Sequence, residues 1–254
     1  MTEASERKTA FTDEQYAALY PEGMENHYWY VARNAMVLDA IAAIERQHGQ
    51  CIDPMLEIGC GQGIVVEFLR RSGRDCYGSE LAPIPVPEPL EQYIWSGTDF
   101  LTLPRDFRDK VKLILLLDVI EHIEDPVDFL AKIRGAFSGC RWLVITVPAR
   151  MELWSKFDEL YGHFRRYDDA MLRDEINKAG GDLVTWRYRF TLLYLAIYVL
   201  GRFGRTRKLN NHTPTFPNLH RVLGKLIERE TWVLPRWVYG SSIVAVARFF
   251  DRSA

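Results

Sequence analysis

The sequence predicts an open, doubly wound α/β fold: a mostly parallel seven-stranded sheet, helices on both faces, and an antiparallel strand at its C-terminal edge. Three observations lead there. Short apolar runs recur from residue 55 onward, and Leu113–Leu117 and Leu143–Val147 are apolar almost without interruption, as strands covered on both faces are. Segments with apolar residues at helical spacing lie between those runs. Glycines at 59, 61 and 63 directly follow the first run, at the point where a strand would hand over to a helix.

Each element follows from local pattern. Residues 1–20 are polar and read as irregular or loosely helical. Asn34 to Glu45 places Val37, Leu38, Ile41 and Ile44 on one helical stripe. Strands are expected at Met55–Ile58, Asp75–Ser79, Tyr93–Trp95, Leu113–Leu117 and Trp142–Val147, with a helix at Ile64–Arg71 after the first. Leu81 to Leu90 carries prolines at 83, 85, 87 and 89, so this crossover is expected to be extended where a helix would be usual. Asp125-Pro126 is a helix start, with Asp as N-cap and Pro at the first helical position, and Val127, Leu130, Ile133 and Phe137 form the buried face. Asp168 is placed to cap a helix carrying Leu172, Ile176 and Ala179 that ends at Gly180-Gly181. Leu183–Arg187 and Ser241–Phe249 are then expected as an antiparallel pair at one sheet edge. The resulting division is an N-terminal helical lid over 1–48 and a sheet domain over 49–254, with a helical insertion at about 190–235.

Composition narrows the function classes. Hydrophobic residues make up 48% and charged residues 26% of the 254, which is ordinary for a globular protein. A net charge of −2 provides no basic field for a general nucleic-acid binder. Cysteines at 51, 60, 76 and 140 form no CxxC pair and no metal-ligand spacing, so a reduced, cytoplasmic setting and no metal are expected. The first residues are charged, unlike a secretory signal, and no run reaches the ~20 apolar residues a membrane span needs.

The chemistry is written at the strand ends. Glycines at 59, 61 and 63 would let main chain approach a ligand closely, and the helix beginning at Ile64 would aim free N–H groups at the same point. A dinucleotide fingerprint would require its third glycine at 64, where Ile stands. Glu57-x-Gly59-x-Gly61-x-Gly63 instead resembles the first motif of the class I S-adenosylmethionine-dependent methyltransferases, whose fold is Rossmann-like. The second strand ends at Glu80, where a carboxylate can accept from both hydroxyls of a ribose. The resemblance implies that Glu57, Gly59, Cys60, Gly61, Gly63, Glu80 and Leu81 line the cofactor, that Asp99 meets the adenine amino group, and that the backbone of Phe100 touches the ring. Asp118-Val119-Ile120-Glu121-His122 resembles the family's motif after strand four, which lies against the methionine part and the transferring methyl; Asp118, Val119 and His122 are carried over as cofactor contacts. His27 to Arg33 is similar to the family's aromatic lid segment, with Tyr28 over the cofactor and Arg33 on its carboxylate; a helix start packed on the core is the alternative. The resemblance covers roughly residues 50 to 150.

After the fifth strand, Tyr161-Gly-His163-Phe-Arg165-Arg166-Tyr167 resembles bacterial members acting on small molecules, lipid precursors or glycan-linked acceptors. His163 is suited to take the acceptor's proton, and His122 is a rival base. Arg165 and Arg166 could hold a carboxylate or phosphate, or could satisfy loop carbonyls and form ion pairs. Tyr161 and Tyr167 complete this expected acceptor set. In the insertion, apolar Phe190–Leu200 stands beside Arg202, Arg205, Arg207 and Lys208, which would suit peripheral contact with an anionic membrane through 190–208, or a core or homodimer helix. The implied activity is methyl transfer from S-adenosylmethionine to oxygen or nitrogen of a small-molecule or lipid-like acceptor. A noncatalytic cofactor-binding module and a nicotinamide-dependent oxidoreductase are the alternatives.

Overall fold

A computed structural model describes residues 23–202, 214–230, 234–235 and 238–251. Expectations for residues 1–20 and for the side chains of Arg202, Arg205, Arg207 and Lys208 lie outside the described residues.

Seven strands build one sheet: β1 (Met55–Ile58), β2 (Cys76–Glu80), β3 (Ile94–Ser96), β4 (Leu113–Leu117), β5 (Trp142–Pro148), β6 (Gly181–Arg189) and β7 (Ser242–Phe249). Their order across the sheet is β3-β2-β1-β4-β5-β7-β6. β1 to β5 run parallel, and β7 pairs antiparallel with both β5 and β6. The C-terminal strand is therefore the antiparallel one, but it lies one position in from the edge, which β6 occupies.

Helices cover both faces: α1 (Tyr28–His48), α2 (Ile64–Arg71), the single turn α3 (Arg105–Arg108), α4 (Pro126–Ala136), the short α5 (Lys156–Leu160), α6 (Asp169–Lys178), α7 (Thr191–Arg202) and α8 (Pro217–Glu228). The period-2 geometry of β4 feeds two cores at once. Leu113, Leu115 and Leu117 pack with Val37 and Ile41 of α1 and Val65 and Leu69 of α2. Ile114 and Leu116 turn to the opposite face, with Leu130 and Ile133 of α4 and Leu172 and Ile176 of α6. A strand sandwiched in this way can be apolar at every position, which is why Leu113–Leu117 shows no alternation.

The expected caps form. Asp125 Oδ1 accepts from the Asp128 N–H at 3.0 Å, and Asp168 Oδ1 from the Met171 N–H at 2.8 Å. The proline-rich crossover is extended, with one tight turn at Glu88–Leu90. α1 starts earlier than its apolar stripe, at Tyr28, and its first turn meets α8. A side chain at Gly224 of α8 would place its Cβ 2.7 Å from Val31 Cβ, so the glycine permits the two helices to approach closely.

Candidate functional site

In a doubly wound sheet the ligand crevice opens beyond the carboxyl ends of the strands where the strand order reverses. Here that point lies between β1 and β4, and the loops that follow these two strands carry the predicted motifs.

On the β1 side, Gly59, Gly61 and Gly63 all take left-handed backbone, at φ 76°, 52° and 84°. Their freedom serves the protein's own packing as well as a ligand. A Cβ on Gly59 would lie 3.0 Å from Val119 Cγ2, and one on Gly63 would lie 2.2 Å from Ile94 Cδ1. Glu80, buried at the end of β2, braces the loop: its Oε2 accepts from the Gly61 N–H and its Oε1 from the Ala82 N–H, each at 3.0 Å. Cys60 is buried, and Gly78 in β2 makes room for it, since a Cβ there would lie 2.6 Å from the Cys60 sulfur. A lone glycine within a strand is the sequence signal that could have pointed to this close approach. Leu81 is half-buried beside Glu80. Asp99 caps a tight turn, its Oδ1 accepting from the Leu101 N–H at 2.8 Å, while the Phe100 ring packs on Phe129 and Phe137.

Across the crevice, Asp118 ends β4 at φ 58°, a strained conformation for a residue with a side chain. Its Oδ2 accepts from Arg33 Nη1 at 2.8 Å. Arg33 is buried under the rings of Trp29 and Tyr30, 4.5 and 5.1 Å from their centroids, and its Nε has no partner. Burial, partly offset by Arg33, pushes the Glu57 carboxyl up to about 8, and Glu57 Oε2 is also without a hydrogen bond. Burial raises the Tyr30 hydroxyl to about 12. Tyr28 lies away from this group, its N–H donating to His220 Nδ1 of α8 at 3.4 Å. The C-terminal half of the expected lid is a layer of the core, with Val37, Ile41 and Ile44 buried.

The segment expected to meet the acceptor is organised around Asp158, which is wholly buried. Ser155 and Asp158 form a capping box at the start of α5; the Asp158 carboxylate also holds His163 Nδ1 at 2.9 Å and receives Arg166 Nε at 2.7 Å. Asp158 was not among the predicted residues, although Ser-x-x-Asp is a recognisable capping pattern. The Phe164 N–H donates to the Glu121 carbonyl at 2.8 Å, tying this segment to the turn after β4. That tie brings the His122 and His163 rings to 4.7 Å between centroids. Burial and the neighbouring His163 push His122 down to about 4, so its ring is neutral near pH 7. Burial beside Asp118 raises the Glu121 carboxyl well above the usual range.

Two expected acceptor contacts are corrected by this geometry. Tyr167 is completely buried in the core between β5 and α6, its hydroxyl donating to the Ile120 carbonyl at 3.4 Å, so it cannot face a substrate. Arg166 is 6% exposed and is bound to Asp158 and to the Ala149 carbonyl, which makes it a structural cation. Arg165 donates to the Glu124 carbonyl at 2.7 Å and to Glu175 at 3.3 Å. Tyr161 is buried near Tyr30 and stacks at a tilt on Phe157, 4.3 Å between centroids.

The crevice thus joins a glycine loop at a switch point to a cluster of buried carboxylates, the arrangement of a Rossmann-like methyltransferase. Residues 30–186 match the family model described as methyltransferase domain, more than half of the chain, and the protein belongs to that family of class I S-adenosylmethionine-dependent enzymes. It is 28% identical to a ubiquinone biosynthesis O-methyltransferase of Cereibacter sphaeroides, across 44% of this chain and 58% of that protein. The corresponding protein from another strain is 27% identical across 60% of this chain and 74% of its own. The chain therefore spans little more than half the length of the first of these relatives. Magnesium protoporphyrin IX methyltransferase from Synechocystis PCC 6803, crystallised with bound SAH, shares the fold at a TM-score of 0.52 and 13% identity, over 93% of each chain.

Proposed function

We propose that this protein transfers the methyl group of S-adenosylmethionine to an oxygen or nitrogen of a small-molecule or lipid-like acceptor. The observation that carries the proposal is the left-handed glycine loop, braced by Glu80 and facing the Arg33–Asp118 pair across the switch point. The residues fit the cofactor's charges. Glu80 and Asp118 bring carboxylates to the strand ends, a field suited to a sulfonium cation, while burial drives Glu57 and Glu121 toward their neutral forms. Arg33 Nε and Glu57 Oε2, buried without partners, suit the cofactor's carboxylate and ammonium groups. Glu80 would hold the ribose, Asp99 the adenine amino group, and Val119 would pack beside the methionine chain.

When bound, the cofactor supplies an activated methyl on a good leaving group, so the protein's contributions are positioning and exclusion of water. Removal of the acceptor's proton would fall to His163, oriented by Asp158, or to the neutral His122 beside it. The acceptor segment and the neutral His122 imidazole favour a catalyst over a binding module. The test is calorimetry with S-adenosylhomocysteine and with NAD, followed by an acceptor screen that reads S-adenosylhomocysteine release. Binding of NAD alone would overturn the proposal. In the same assay His163→Ala should bind S-adenosylhomocysteine as the wild type does and turn over roughly 10²- to 10⁴-fold more slowly; unchanged turnover would remove it as the base.

Peripheral membrane contact is part of the same proposal. Leu192, Leu195 and Val199 of α7 and Leu219, Val222 and Leu226 of α8 follow i, i+3, i+7 spacing and are each at least half exposed. Apolar rows near Arg221 and Lys225 suit an anionic bilayer surface. Co-sedimentation with phosphatidylglycerol vesicles should fall when Leu219, Val222 and Leu226 are changed to Ser, and equal sedimentation of the two proteins would count against it.

A further inference from the structure

We infer that Glu121, His122 and His163 form a binding site for a divalent transition-metal cation at the acceptor end of the crevice. The inference deepens the methyl-transfer proposal and rests on it for its role; it departs from the metal-free site expected of the sequence, and with an ion bound His122 and His163 act as ligands in place of the base assigned above.

Geometry carries it. One ligand atom from each of the three residues lies within 4.8 Å of the others, close enough for small side-chain rotations to bring all three onto one ion. The spacing is built by the fold. Glu121 and His122 lie on the tight turn after β4, and the Phe164 N–H to Glu121 carbonyl bond holds the His163 segment against that turn.

Two further features point to an ion. Glu121 is 1% exposed and its Oε2 has no hydrogen-bond partner, a position that leaves a carboxylate oxygen desolvated and uncompensated. His163 Nδ1 is held by the buried Asp158 carboxylate at 2.9 Å. That bond fixes the ring and makes Nε2 the atom free to ligate, the carboxylate–histidine–metal relation found behind metal-binding imidazoles. Arg166 Nε donates to the same Asp158 oxygen, Oδ1, at 2.7 Å and neutralises it, so Asp158 is kept as an orienting group.

Two imidazoles and one carboxylate select a zinc- or iron-like cation over calcium or magnesium, which prefer oxygen sets. Three protein ligands leave open coordination positions. An acceptor hydroxyl that entered there would ionise more readily, its proton passing to water. The oxygen would then form the new C–O bond to the methyl carbon as the C–S bond breaks and its electron pair remains on sulfur. The site therefore favours an oxygen acceptor over a nitrogen one.

The test is titration of chelator-treated full-length protein with Co²⁺, read by its visible absorption band and by calorimetry, with an S-adenosylhomocysteine titration in parallel. The wild type should take up one equivalent. Glu121→Gln and His122→Ala, each checked by circular dichroism, should lose saturable uptake. Asp158→Asn, which changes the group that positions His163 and leaves the three ligands in place, should weaken uptake about 10- to 100-fold. Absence of saturable uptake by the wild type, or uptake undiminished in whichever of the Glu121 and His122 variants folds, would overturn the inference. S-Adenosylhomocysteine binding without Co²⁺ uptake would remove the metal site and leave the methyl-transfer proposal standing. Co²⁺ uptake without S-adenosylhomocysteine binding would do the reverse.

Discussion

The two walls of the crevice are held by different means. The glycine loop after β1 is fixed by main chain: three left-handed glycines, with the Gly61 N–H received by Glu80. The segment from Ser155 to Tyr167 is fixed by side chains that converge on Asp158. A wall of main chain fits the same ligand whatever side chains surround it. A wall of side chains can be re-specified residue by residue, which would suit the acceptor role proposed for it.

Breaking the first wall should have the largest effect. Gly61→Val puts a β-branched residue at φ 52°, a strain of about 1–3 kcal/mol, and displaces the N–H that Glu80 receives. S-Adenosylhomocysteine binding should weaken at least ~100-fold, about 3 kcal/mol, by calorimetry. A variant that binds normally would show that the loop does not hold the cofactor. Asp158→Ala attacks the second wall by leaving the buried Arg166 guanidinium without its carboxylate. Loss of one partner of a buried pair destabilises by about 3–5 kcal/mol, so the urea midpoint should drop sharply. Where the protein remains folded it should still bind S-adenosylhomocysteine, and loss of that binding would mean that the walls are not independent.

The same contrast explains what was legible in the sequence. Left-handed turns, strand ends and N-caps leave single-residue signatures, so β1, β4, α2 and the caps at Asp125 and Asp168 could be read directly. Tertiary partners leave none. Tyr167 and Arg166 belong to an aromatic, basic stretch that resembles an acceptor site, yet one is core and the other is a structural cation. Asp158 organises that stretch from an unremarked position in a short helix. The His122–Glu121–His163 juxtaposition spans two loops far apart in sequence, and a spacing rule written for local ligand pairs does not detect it. The early start of α1 was hidden because Tyr28 to Tyr30 pack toward α8 and the crevice and do not extend the stripe formed by Val37, Ile41 and Ile44.

Glu57 sharpens the description of the first wall through pH. Burial raises its carboxyl from 4.5 to about 8, so the folded protein holds this proton more tightly than the unfolded chain does. The sign follows: the group's contribution to stability is fullest below about pH 4.5 and is lost as pH rises toward 8, by an amount on the order of a few kcal/mol. Glu57→Gln removes this dependence. Urea unfolding at pH 5, 7 and 9 should show the variant gaining on the wild type as pH rises, and parallel curves would mean that Glu57 is already compensated in the folded protein.

The smallest effect is expected at Arg165, and its smallness is informative. Its guanidinium donates to the Glu124 carbonyl and pairs with Glu175 at 3.3 Å, with side-chain exposures of 19% and 11%. Such a partly solvated pair contributes roughly 1 kcal/mol or less. If the acceptor is uncharged and held by the imidazoles, Arg165→Ala should shift the urea midpoint slightly and leave KM for the acceptor within about twofold, since no lost contact would enter KM. A rise in KM of tenfold or more with kcat unchanged would mean that Arg165 releases Glu175 to hold an anionic acceptor, and the second wall would then bind its ligand by charge.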